Sequence, residues 1–214
     1  MEEVAEARSA ILSRIRQALR GAPEVPRPPE GPLPTSARYR AEVEGDLVGR
    51  FVREAEAVGV RVHRSSGGEL VQTVAEILRA TGVRRVGVAG NVQALIPPLR
   101  AVGFAVGGVE VARDADAGVT AADWGLAETG SLVLLSGPAQ ERLLSLLPPV
   151  HVAVLGEDRI LTDLDALFDR LDDVPAALTF ITGPSRTADI EQTLTPGVHG
   201  PGVVHVVVVR GLLP

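Results

Sequence analysis

Two segments of this chain place groups capable of chemistry at the same point of the same local pattern. Leu132-Val133-Leu134-Leu135 runs into Ser136-Gly137-Pro138-Ala139, and Leu178-Thr179-Phe180-Ile181 runs into Thr182-Gly183-Pro184-Ser185. The Gly permits a sharp exit from the strand, and the Pro presets a helical φ where a backbone N–H would be unpaired anyway. The pattern predicts two helix N-termini with free N–H groups. If the two strands are parallel neighbours, both N-termini open at one edge of the sheet, the edge where open α/β sheets bind ligands. The chemistry expected there is recognition of a small anion by Ser136, Gly137, Thr182, Gly183 and Ser185, with the planar fork of Arg186 supplying charge. Ser185 suits an N-cap, and Asp189 and Glu191 complement the dipole of the helix expected after it. Gly-Pro turns of this kind also serve folding alone in many α/β proteins.

Glu128-Thr129-Gly130-Ser131 sits at another strand junction. Its first three residues are similar to the Glu-Asn-Gly turn of coenzyme A transferases, whose glutamate attacks an acyl thioester to form an acyl anhydride. The similarity implies Glu128 as a catalytic group, with Thr129, Gly130 and Ser131 beside the ligand. The alternative is a solvated carboxylate at a hairpin turn. His199, in the glycine-rich Gly197-Val-His-Gly-Pro201 loop, is the candidate for proton transfer. Chain direction stands against it, because a helix running from Thr187 delivers that loop to the opposite end of the sheet unless residues 195 to 202 fold back. His151 opens a strand and His205 interrupts Val203 to Val209, so both read as core or sheet-edge residues, and His63 as a strand end. No His-Glu-x-x-His or comparable spacing occurs, and no metal site is expected. Gly183 to Thr187 begins like a serine-hydrolase elbow but has Thr where the second Gly belongs, which disfavours that chemistry.

Four ordered motifs carry a resemblance. Asp123-Trp-Gly-Leu-Ala-Glu-Thr-Gly-Ser-Leu-Val-Leu-Leu-Ser-Gly-Pro138, Leu147-Pro-Pro-Val-His151, Phe180-Ile-Thr-Gly-Pro-Ser-Arg-Thr-Ala-Asp-Ile-Glu191 and Gly197-Val-His-Gly-Pro201 together resemble the lactate utilisation protein C family, with its LUD domain. The resemblance covers the chain in layout and is most specific in the second half. It implies a fold similar to that of glucosamine-6-phosphate isomerase, ribose-5-phosphate isomerase and the coenzyme A transferases. It also implies a role beside an iron-sulfur protein and a second partner that together oxidise L-lactate to pyruvate, with the clusters held by the partners.

Composition limits what the chain can do by itself. Its 214 residues suffice for one full core, and 45% hydrophobic with only 3% aromatic content indicates Val, Leu, Ala and Ile packed in a helix-covered parallel sheet. A net charge of −6 argues against nucleic acid, whose binding needs a basic surface. Apolar runs such as Val206 to Val209 are far shorter than a bilayer span, and Met1-Glu2-Glu3 lacks the basic start of a signal peptide. No membrane contact and a cytoplasmic location are therefore expected. Cys is absent, so the chain offers no thiolate to a cluster, a disulfide or a nucleophilic mechanism. Lys is absent too, since all 21 basic residues are Arg. That removes Schiff-base and P-loop chemistry and leaves unmatched the ATP-binding lysines of the formyltetrahydrofolate cyclo-ligases, a family of similar fold. No cofactor is expected in this chain, and anion recognition falls to Arg and backbone N–H.

Val4, Ala7, Ile11, Leu12, Ile15 and Leu19 recur at helical spacing and predict a helical arm over residues 1–20. A Pro-rich linker follows over 21–40, and 41–214 reads as a single LUD-type α/β domain. Its patterns predict helix 41–58, strand 60–63, a turn at 65–68, a helix from Leu70 closed by Gly82, strand 85–89 and a helix restarting at Pro97-Pro98. They go on to predict a strand within 102–111, a hairpin of 124–128 with 131–135, helix 139–147, strand 151–155, helix 163–171, strand 178–181, helix 187–194 and strand 203–209. This alternation indicates a three-layer, mostly parallel sheet with helices on both faces.

The expected function is that of an accessory subunit of a lactate-oxidising system that binds a small anionic ligand. An independent acyl-coenzyme A transferase or phosphosugar enzyme working through Glu128 is the alternative from another class, and an adaptor without ligand is a third. The apolar stripe of the arm must pack on the body, on a second copy in a homo-oligomer, or on a redox partner. Deleting residues 1–20 is expected to lower the oligomeric mass or break the complex, read by light scattering, while the unfolding transition of the body stays nearly unchanged. Unaltered assembly of the truncated chain refutes an intermolecular arm.

Overall fold

Chain order in the computed structural model, which describes residues 2–20, 45–137, 142–171, 175–187, 195–196 and 199–211, begins α1 (Glu2–Ala18), α2 (Leu47–Ala57), β1 (Arg61–Ser66), α3 (Leu70–Ala80), β2 (Arg85–Val88), α4 (Ile96–Ala101), β3 (Ala105–Gly107) and β4 (Ala117–Ala121). It continues β5 (Trp124–Leu126), β6 (Ser131–Leu135), α5 (Leu143–Leu146), β7 (Val150–Gly156), β8 (Ile160–Leu161), α6 (Leu164–Phe168), β9 (Leu178–Ile181), β10 (Arg186–Thr187), β11 (Thr195–Pro196) and β12 (Val203–Arg210). Contacts divide the chain into Met1–Tyr39, which holds α1, and Arg40–Pro214. The expected Pro-rich linker lies outside the described residues.

Six strands pair in parallel in the order β1-β12-β7-β4-β2-β3. The two inner strands β12 and β7 are continuous apolar runs because both of their faces are covered. Val207, Val209, Val152 and Val154 pack with Leu70, Val74 and Leu78 of α3 and with Leu95 and Leu99 around α4. The alternate residues Val204, Val206, Val208, Ala153 and Leu155 pack with Phe51 and Ala55 of α2 and with Leu132 and Leu134 of β6. Phe51 and Ala55 share one helical face by their i, i+4 spacing, and Asp46 starts that helix by accepting the Gly49 N–H at 2.8 Å.

The sheet is α/β and parallel, as the alternation predicts, but its second face is covered by a small second sheet as well as by helix. That sheet runs β8-β5-β6-β9, with β5–β6 and β6–β9 antiparallel and β5–β8 parallel. Its outer side, Leu126, Val133 and Leu161, lies under Leu167 of α6. Among the described residues no helix is long and apolar enough to cross a membrane.

Some elements depart from the pattern-based expectation. β1 runs on through Ser65 and Ser66, and the chain turns only in Gly67–Glu69. Of the helix expected over 139–147, α5 is seen, and 138–141 lie outside the described residues. Thr187 opens no helix, because it belongs to β10, which pairs antiparallel with β11; residues 188–194 lie outside the described residues. β8 is too short to announce itself. β4, Ala117-Gly-Val-Thr-Ala121, is wholly buried yet escapes the strand signal because its side chains are small. Their size has a cause, since a Cβ on Gly118 would fall on the Leu144 carbonyl of α5.

Gly118→Val is expected to force α5 away from β4 and to lower stability by about 1 to 3 kcal/mol, the usual cost of overpacking. Gly68→Ala, where a Cβ meets open space, should stay within roughly 0.5 kcal/mol of the parent. Urea midpoints of the two variants check both values.

Candidate functional site

Motifs far apart in sequence meet at one end of the second sheet. β5 and β6 form the expected hairpin, and its turn presses Gly130, at φ +65°, onto the last turn of α2, where a Cβ would strike the backbone of Glu54 and Ala55. Both the positive φ and the lack of space demand Gly. The turn carries the half-buried Glu128 and the exposed Thr129. The Thr129 hydroxyl lies 2.7 Å from that of Ser131, which lies 2.7 Å from that of Thr182. This hydroxyl chain ties the hairpin turn to the Thr182–Arg186 loop. Its exposed ends, Thr129 and Thr182, keep spare hydrogen-bonding capacity.

The C-terminus of α2 anchors the loop. Gly183, at φ +94°, rests on the carbonyl of Val58, the residue that caps this helix. Arg186 Nη2 donates to the same carbonyl at 3.3 Å. A cation at a helix C-terminus is favourable by about 0.3 to 1 kcal/mol, because the last carbonyls there lack partners. The Ser185 N–H donates to the Pro201 carbonyl at 2.9 Å, and Gly200 packs on the Ser185 side chain. The antiparallel pairing of Arg186 with Pro196 turns the chain back on itself. The chain therefore folds back, and the exposed His199 directly precedes the Gly200 that packs on Ser185.

Ser136 and Gly137 stand elsewhere. β9 is antiparallel to β6, with Leu132 opposite Ile181 and Leu135 opposite Leu178. The exits of the two strands therefore point in opposite directions, about 17 Å apart at the rise of a strand. A single cleft shared by the Ser136 and Ser185 turns is ruled out. The Ser136 N–H donates to the Ala177 carbonyl and its hydroxyl accepts the Ala177 N–H, both at 2.9 Å, so this serine closes the ladder. Ser185 precedes strand β10 and caps no helix; Asp189 and Glu191 lie outside the described residues. Since Val58 precedes β1 and Pro201 precedes β12, the Thr182–Arg186 loop sits at the amino ends of the main sheet, not at its ligand-binding carboxyl ends. The Leu135 end of β6 is at the carboxyl ends, held by the Asp123 carboxylate just after β4, which accepts the Leu135 N–H at 2.7 Å. Asn91 at that edge had no sequence signal beyond a Gly-Asn turn. Its amide bonds both ways to the Ala121 backbone, at 3.2 and 3.3 Å, and joins the exits of β2 and β4.

The remaining histidines are structural. His151 is fully buried, with Nε2 2.9 Å from the Thr120 hydroxyl and Nδ1 unpartnered among the described residues. His63 Nε2 lies 3.0 Å from His205 Nδ1, the rings stacked at 5.2 Å, and the buried Nε2 of His205 has no partner among the described residues. Burial lowers the pKa of each buried histidine to about 4, and His63 and Arg61 add to the effect at His205. Among the described residues no three His, Asp or Glu gather as a metal ion would require.

Residues 109–209 match the LUD domain family. The chain is 41% identical over 100 residues to lactate utilization protein C of Halalkalibacterium halodurans, an alignment covering 44% of each chain. It is 43% identical over 95 residues to lactate utilization protein C of Anoxybacillus flavithermus, covering 44% of this chain and 43% of that protein. The aligned part thus spans less than half the length of these curated relatives. A DUF162 family protein from Deinococcus radiodurans, known from its crystal structure, aligns with a TM-score of 0.60 at 28% identity, covering 76% of this chain and 96% of that one.

Because His151 and His205 hold folded pKa values near 4 against an ordinary 6.5, the unfolded chain takes up protons first as pH falls. Stability is expected to be flat with respect to these groups above about pH 7 and to fall between pH 6.5 and about 4. The slope reaches about 1.4 kcal/mol per pH unit for each histidine. Urea unfolding across this range checks the slope, and His151→Gln should remove one histidine's share of it.

Proposed function

Because residues 109–209 match the LUD domain family, we propose that this chain is an accessory subunit of an iron-sulfur-containing system that oxidises L-lactate to pyruvate in the cytoplasm. The observation that carries the reading is the convergence of Glu128–Ser131, Thr182–Arg186 and His199–Pro201, all inside the matched region, on one end of the second sheet. That end combines exposed hydroxyls, an exposed imidazole, a carboxylate and an exposed guanidinium. The set suits a small organic anion. Arg186 spends one donor on Val58 and has the rest of its fork for a carboxylate. Glu128 and His199 are the groups able to hold or pass a proton beside it.

Oxidation of lactate needs an electron acceptor, which ordinary side chains do not provide. With no Cys to ligate a cluster, this chain depends on iron-sulfur partner proteins for that step. The test is an absorption spectrum and lactate-dependent dye reduction by the purified chain, alone and with its partners. The lone chain is expected to be spectrally silent and inactive. The assembled system should be active and should lose at least tenfold on Arg186→Ala, while the urea midpoint moves only by the equivalent of about 0.3 to 1 kcal/mol. Dye reduction by the lone chain, or full activity of the partners without it, overturns the reading.

A further inference from the structure

We propose a second anion site at the carboxyl ends of the main sheet, the edge opposite Arg186, in which Arg64 and Arg210 clamp a small dianion. The topology makes a crevice there. β1 leaves through Gly67–Glu69 into α3 on one face of the sheet, whereas β7 leaves through Glu157–Arg159 into β8 on the other, and β12 ends between them. Connections that diverge to opposite faces open the crevice in which sheets of this kind bind ligands. A cleft of about 280 Å³ occupies the position, lined by Arg64, Ser65, Ser66, Glu69, Glu157 and Arg210.

The register gives the cleft its charge. Arg64 lies opposite Val208, and Ser66 opposite Arg210. Val208 packs on the α2 side of the sheet, so alternation puts Arg64, Ser66 and Arg210 on that same side. The two arginines are then diagonal neighbours, roughly 7 to 8 Å apart at the backbone. Both are exposed, and among the described residues neither has a carboxylate within ion-pairing distance. Glu69 is engaged chiefly by Ser66. Its carboxylate accepts the Ser66 hydroxyl at 2.7 Å and the Ser66 N–H at 3.4 Å, and these bonds, helped by the charge of Arg210, keep its pKa below the usual carboxylate range. The half-buried Glu157 lines the cleft as well. Two exposed guanidinium forks lining a cleft of this size match two carboxylates on a short carbon chain, or the oxygens of a phosphate.

The site is independent of the lactate reading, and its test removes the Arg186 end first. Malonate, inorganic phosphate and acetate are titrated into the full chain carrying Arg186→Ala, at constant ionic strength by calorimetry, with thermal stabilisation as a second readout. Saturable binding of malonate assigns a dicarboxylate and of phosphate a phosphoryl group, with acetate at least tenfold weaker in either case. In that background Arg64→Gln and Arg210→Gln should each weaken binding at least tenfold without moving the urea midpoint. Absence of saturable binding, acetate binding as tightly as the dianions, or binding that survives the double Arg64→Gln, Arg210→Gln substitution overturns the proposal.

Discussion

β12 and β7 carry buried side chains along nearly their whole length, and water must be kept from both of their faces at once. One helical layer, α3 with α4, covers one face. The other face is wider than α2 alone can cover, and Leu132 and Leu134 of β6 complete it. The second sheet is thus a covering element first, recruited by apolar burial of the kind that supplies most of the driving force for folding. Its outer side, in turn, needs α6. Even the small residues of β4 follow from this constraint, since α5 reaches the sheet only where Gly118 and Gly87 offer no side chain.

The candidate site is a by-product of that covering. Once β6 lies against α2, its hairpin turn meets the last turn of the helix, and the loop after β9 meets the carbonyl at its C-terminus. A helix C-terminus offers carbonyls without partners and the negative end of the dipole, which is why a guanidinium settles there. Arg186 therefore has a structural task as well as the one proposed for it. The hydroxyls of Thr129, Ser131 and Thr182 connect the two turns.

The two ends of the main sheet have distinct chemistry. At the amino ends, the hydroxyls of Thr129, Ser131 and Thr182 and the Arg186 guanidinium gather around the end of α2. At the carboxyl ends, the diverging exits of β1 and β7 leave a crevice lined by Arg64 and Arg210 together with Glu69 and Glu157. β12 spans eight residues between them, roughly 26 Å at the rise of a parallel strand. Ligands at the two places would not touch, and the unbroken sheet between them offers a rigid connection.

Much of the body was legible in local pattern. The runs of Val in β12, the stripe of Leu70, Val74, Ile77 and Leu78, and the Thr129-Gly130 hairpin all follow from rules that act over a few residues, because solvent exclusion and turn sterics are themselves local. The resemblance to the lactate utilisation family rested likewise on contiguous motifs, and residues 109–209 match the LUD domain. Not legible was the direction in which β9 pairs with β6. Leu-Thr-Phe-Ile is equally good as a parallel or an antiparallel strand, and only the packing of its partner decides; the antiparallel outcome separated Ser136 from Ser185, which packs against Gly200 instead. Nor could the pairing of Arg64 and Arg210 across one cleft be read, since their strands stand at opposite ends of the domain sequence and become neighbours only in the sheet. The sequence by itself determined which segments are buried and where the chain turns; tertiary structure decided which turns meet, because that depends on contacts such as Ser131 with Thr182, formed across 51 residues of chain.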